Sequence, residues 1–154
     1  MNTLLAKLIR TEPNTAVAVA RVTLGLVMLP HGLQKTLGLF GGYGFTGTMG
    51  YFTGTLGMSY LVALLVIASE SVGAIALIVG ILSRFCAASL VIVMVGAVYM
   101  AHWANGFFMN WFGNQPGEGF EYHLLVVGLA LTVVVGGAGR WSIDRALCGG
   151  CQKG

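Results

Sequence analysis

Residues 61–81 read LVALLVIASESVGAIALIVGI, an apolar run with one carboxylate, Glu70, set between Ser69 and Ser71. The run is long enough to cross the hydrocarbon core of a bilayer, which takes about 20 mainly apolar residues. A carboxylate at that depth costs about 2.5–3.5 kcal/mol on insertion scales unless it is paired or protonated. The chain is therefore expected to supply Glu70 with a partner, and that partner is the best lead to function.

Outward from this segment lie three more apolar stretches, Ala16–Leu33, Phe85–Ala101 and Phe120–Ala138. Of the 154 residues, 56% are hydrophobic and 8% charged, where soluble domains carry about 25% charge. The expected fold is an all-α membrane protein, a four-transmembrane-helix bundle forming one domain over 1–154. Its helices fall near 15–35, 59–81, 85–102 and 120–138, and 145–154 is a polar tail. No glycine-rich phosphate loop is present. Lys7 and Arg10 ahead of the first run resemble a signal peptide, but Pro30, His31 and Gly32 follow instead of a small-residue cleavage site. The net charge of +3 sits at helix ends and is not a nucleic-acid signal.

Charge placement sets the orientation. Lys7, Arg10, Arg84, Arg140, Arg145 and Lys153 fall on one side of such a bundle, and Lys35 alone on the other. The positive-inside rule then puts both termini in the cytoplasm. Cys86, Cys148 and Cys151 lie at or near that side, where thiols stay reduced. The Cys148–Cys151 spacing suits a redox or metal pair, yet a zinc site needs about four ligands, and only Cys86 is available to join. A mobile tail is the plainer reading.

Three helices carry a face of small residues with a charge on it: Arg21, Gly25, Met28, Gly32 and Lys35; Glu70, Gly73, Leu77 and Gly80; Glu121, Leu125, Gly128, Thr132 and Val135. Residues three and four apart share a helix side, and small ones let a neighbouring helix approach. The connection from Thr36 to Ser59 carries no charge and mixes glycine with Phe40, Tyr43, Phe45, Tyr51 and Phe52. Such a loop is expected to cap the outer mouth of the bundle as an interfacial or re-entrant segment. Trp103, Phe107, Phe108, Trp111 and Phe112 form an interfacial aromatic belt in the third connection.

Helical rise puts Arg21 about 9 Å and Glu70 about 15 Å from the cytoplasmic ends of their helices, close enough for a long side chain to bridge. Arg21–Glu70 is the expected intramembrane ion pair, with a purely structural staple as its alternative. At the outer ends gather His31, Lys35, His102, Glu121 and His123. Glu121 and His123 are about 200° apart on a helix, so only one faces inward; Glu121 is expected inward and His123 lateral. No two histidines have the i, i+4 spacing of a metal site, and no metal is expected. A quinone headgroup needs a hydrogen-bond donor, an aromatic wall and a proton donor tuned by burial. Glu70, His31 and His102 are the candidate catalytic residues, and Arg21, Lys35, Glu121, His123 and Trp103 the candidate cofactor-binding ones.

Arg21, the run from Leu29 to Lys35, Glu70 to Gly73, Val79 to Arg84, Met94, His102 and the closing Gly137 to Asp144 together resemble the DoxX family of small bacterial membrane proteins. The resemblance implies a four-helix bundle in the bacterial inner membrane. One branch of that family is linked to quinone-reducing subunits of thiosulfate:quinone oxidoreductase, and others to complexes handling oxidative or thiol stress. The family's arginine, histidine–glycine–lysine and glutamate–glycine positions carry over to Arg21, His31, Gly32, Lys35, Glu70 and Gly73. Cys148 and Cys151 lie outside the matching stretch. Three functions follow as expectations: an oxidoreductase subunit using quinone with a protein partner, a non-catalytic anchor or homo-oligomeric scaffold, and a small-solute carrier. The bilayer is the partner common to all three; whether the chain is itself an enzyme stays open.

Overall fold

The computed structural model describes residues 3–148, and the regular structure among them is entirely helical. The α-helices are α1 (Thr3–Ile9), α2 (Thr15–Leu37), α3 (Gly44–Gly50), α4 (Tyr60–Val79), α5 (Ser83–Ala97), α6 (Glu121–Gly136) and α7 (Ile143–Leu147). A π-helical turn, Val98–His102, and a 3₁₀ turn, Trp103–Asn105, prolong α5. Three helices are long and apolar enough to cross a membrane: Thr15–Leu37, Tyr60–Val79 and Ser83–Asn105. The fourth apolar helix, α6, has 16 residues, roughly 24 Å of rise. It stops at Gly136, short of the expected 138, because Gly137 takes φ 82° and ψ −152° and breaks the helix.

These four helices form a ring in which α2 and α5 each pack against both α4 and α6. Leu24, Met28, Ala74, Leu77, Leu90, Met94, Val126, Ala130 and Val133 fill its centre. The outward positions, such as Leu65, Val72, Ile92, Leu125 and Val135, are exposed and apolar, as a lipid-facing surface requires. The α2–α4 seam is close because of its glycines. A Cβ on Gly25 would lie 2.7 Å from Ile78 Cγ1, and one on Gly32 would strike the Glu70 carbonyl.

One end of the ring holds α1 and α7, and here it is laced by polar groups. Arg21 is fully buried, yet it does not meet Glu70. Its guanidinium donates to the carbonyls of Leu77 and Ile78 at the end of α4, and to those of Ala138, Arg140 and Trp141. The expected Arg21–Glu70 pair is thus corrected to a structural staple. Two physical facts decide it. Side chains on a helix lean towards its N-terminus, so Arg21 on α2 points away from Glu70. The last carbonyls of α4 lack helical partners and carry the negative end of the helix dipole. Arg84 does the same for α6, donating to Val134, Val135 and Arg10 carbonyls. Asp144, 1% exposed, accepts from the Leu82 and Ser83 amides at the start of α5.

At the opposite end, the long uncharged connection folds into α3 and a π-helical turn, Tyr51–Thr55. Met49 and Phe52 from this cap pack on Ala63 and Ile67 of α4. The capping segment expected from the sequence is present, as a short helix seated on the bundle.

Candidate functional site

Beneath the cap, Glu70 is 4% exposed and its Oε2 makes an ion pair with Lys35 Nζ, its one polar contact among the described residues. The same lean that separates Arg21 from Glu70 brings this pair together. The two helices are antiparallel, so Lys35 on α2 leans down while Glu70 on α4 leans up. Gly32, one turn before Lys35, lets the backbones touch at the Glu70 carbonyl. The sequence placed Lys35 in the outer group and Glu70 in a separate pair; the structure joins them.

Lys35 also lines a pocket of about 250 Å³ under the cap, with Gln34, Gly41, Gly42, Tyr43, Thr48, Tyr51 and Phe52. The Lys35 ammonium is ion-paired with Glu70 and carries three N–H donors. Gln34 Nε2 donates to the Phe40 carbonyl 3.2 Å away, bracing the turn that walls the pocket. The lining therefore combines an ammonium, hydroxyls and flat aromatic faces.

On the other side of Lys35, one helical turn back, His31 Nε2 lies 3.2 Å from the hydroxyl of Tyr122. His31 and Lys35 lie four residues apart on one side of α2. His123, next to Tyr122 on α6, is 7% exposed and stacks at 4.2 Å between ring centroids on His102. His102 Nδ1 is 2.8 Å from the Glu118 carbonyl. A carbonyl only accepts, so Nδ1 carries the proton and Nε2 holds the free lone pair.

His123 faces inward with Val126, Ala130 and Val133, and Glu121 does not, which reverses the expectation for this helix. Leu125 and Val135, placed on the inner face by the sequence reading, are 71% and 78% exposed. In a helix apolar all round, periodicity does not mark the inner side. The Glu121 carboxylate is instead held by the Met109 amide and Trp111 Nε1, each at 3.1 Å, and so fixes the aromatic loop. Trp103 stacks on Phe120 at 5.5 Å and is 69% exposed, outside the polar cluster. Arg21 belongs to the opposite end of the bundle. Tyr122, which the sequence reading passed over, links the histidines; its only signal was its place between Glu121 and His123. Among the described residues no three His, Cys, Asp or Glu side chains gather to hold a metal ion. Cys86 and Cys148 are buried, and Cys151 lies outside the described residues.

The sequence pattern of the DoxX family matches residues 16–103, more than half of the chain. The chain belongs to the DoxX family. The match takes in Arg21, His31, Lys35, Glu70 and His102, and ends before Glu121, Tyr122 and His123. No curated protein and no solved structure matches this DoxX protein. The family and the apolar helices make it a multi-pass membrane protein in contact with lipid.

Proposed function

We propose that this DoxX protein is the membrane subunit of a redox-linked complex, and that the pocket beneath its cap takes a quinone headgroup. The observation that carries this reading is Lys35, which stands between the pocket and the buried Glu70 carboxylate. A quinone carbonyl accepts a hydrogen bond from the ammonium, while Tyr43, Tyr51 and Phe52 offer faces for the ring. Reduction of the ring requires protons as well as electrons, and Glu70 is the buried acid closest to Lys35. Electrons come from a protein partner, and His31 and His102 serve proton delivery.

In this reading the chain crosses the bacterial inner membrane four times with both termini in the cytoplasm. The short α6 is supported by its apolar flanks, Phe120 and Ala138, and by the ability of a bilayer to thin locally around a short span. Lys7, Arg10, Arg84, Arg140 and Arg145 all belong to the end that holds α1 and α7, and the positive-inside rule places that end in the cytoplasm.

The test is titration of the purified protein with a short-chain ubiquinone or menaquinone analogue, read by quenching of tryptophan fluorescence. Saturable binding in the micromolar range, weakened about tenfold or more by Lys35→Met, is expected, the loss of one charge-assisted hydrogen bond. Absence of saturable binding, or equal binding by K35M, contradicts the reading and leaves the non-catalytic anchor in its place.

A further inference from the structure

We infer that Tyr122, with His31, His123 and His102, forms a proton path joining the buried Glu70–Lys35 pair to the surface beside Glu118. The path shares Glu70 with the reading above but does not depend on quinone being the ligand. Its case rests on how the groups are placed. His102 is half-buried at the loop end, with Nδ1–H fixed on the Glu118 carbonyl, so it gains and releases a proton at Nε2. Its ring is 4.2 Å from that of His123.

His123 is more than nine-tenths buried, and its Nδ1 has no hydrogen-bond partner among the described residues. A buried nitrogen left open in this way costs stability unless something uses it. Tyr122 adjoins it, with the two rings edge to face at 5.5 Å. Its hydroxyl then meets His31 Nε2 at 3.2 Å, and His31 stands one helical turn before Lys35, the ion-pair partner of Glu70.

The transfers balance without an oxidant. A proton taken up at His102 Nε2 passes to His123. The Tyr122 hydroxyl accepts one proton while giving its own to His31 Nε2, and His31 protonates the Glu70 carboxylate. The acidic groups nearby hold other posts. The Glu118 carboxylate accepts from the Asn110 amide at 2.7 Å, and Glu121 is engaged by Met109 and Trp111. Among the described residues neither carboxylate is hydrogen-bonded to a histidine of the cluster.

The experiment is a rapid drop from neutral to acid pH on detergent-solubilised protein, with protonation of Glu70 followed by infrared spectroscopy and its band assigned with Glu70→Gln. No quinone is present, so this result and the quinone titration succeed or fail separately. Tyr122→Phe and His123→Phe are expected to slow proton arrival at Glu70 about 100-fold, the lower range for a positioned acid–base group. The final extent of protonation should stay as in the wild type. His102→Gln, at a more exposed position, should slow it too. Unchanged rates in all three variants overturn the path, and so does a loss of rate matched by a change in final extent, which marks a structural role only.

Discussion

Glu70 lies in an apolar seam with Lys35 as its ion-pair partner, and this makes the pair sensitive in an asymmetric way. Lys35→Met leaves a buried carboxylate without a counter-charge and is expected to cost about 3–5 kcal/mol. The double variant K35M/E70M removes both charges and should recover most of that loss, since an apolar pair of similar volume often replaces a buried ion pair at little cost. Chemical unfolding in detergent, with helicity as the signal, measures both. Equal losses for the single and double variants would mean that the two side chains act independently. At this scale the sequence told which residues were out of place in lipid, Arg21 and Glu70, but not whom each meets. Depth counted along the helix ignores the lean of side chains towards the N-terminus. That lean sends Arg21 to the carbonyls of Leu77, Ile78 and Trp141, and Lys35 to Glu70.

Glycines separate the packed seams from the lipid-facing sides of the helices. Gly32→Ala would press a methyl group on the Glu70 carbonyl and the Ser71 backbone, neither of which can yield without parting α2 from α4. A loss of about 1–3 kcal/mol is expected, as for other over-packed sites, together with a weakened Lys35–Glu70 pair. Gly96 and Gly128 have open space where a Cβ would go. Alanine there should be neutral or stabilising by up to about 1 kcal/mol through helix propensity. Thermal unfolding of the three variants side by side checks the contrast, and similar shifts at all three positions would refute it. The inner faces of α2 and α4 were legible because glycine and charge recur on one side. The face of α6 was not, because Glu121 drew attention to the side that carries Leu125 and Val135, while His123 marks the buried one. An acidic residue in the first turn of a helix has a local use, holding loop amides, and is a poor guide to the core.

Across the whole molecule, polar chemistry divides between the two ends. At the end with α1 and α7, Arg21, Arg84 and Asp144 satisfy helix termini and lock the ring. At the other end, Lys35, Glu70, His31, Tyr122, His123 and His102 lie together beneath a cap and an aromatic loop. Apolar runs made the helical ring legible, and an uncharged glycine-rich connection made the cap so. The pocket was not legible, since Gln34 and Lys35 reach Tyr43, Thr48, Tyr51 and Phe52 only once α3 folds back. The most direct measurement is photolabelling of the purified protein with an azidoquinone, followed by peptide mapping. Label is predicted on the segment from Gly41 to Phe52 and on Lys35, displaced by excess unlabelled quinone. Label spread over lipid-facing positions such as Ile92, Leu125 and Val135, and indifferent to competitor, would contradict a quinone site beneath the cap.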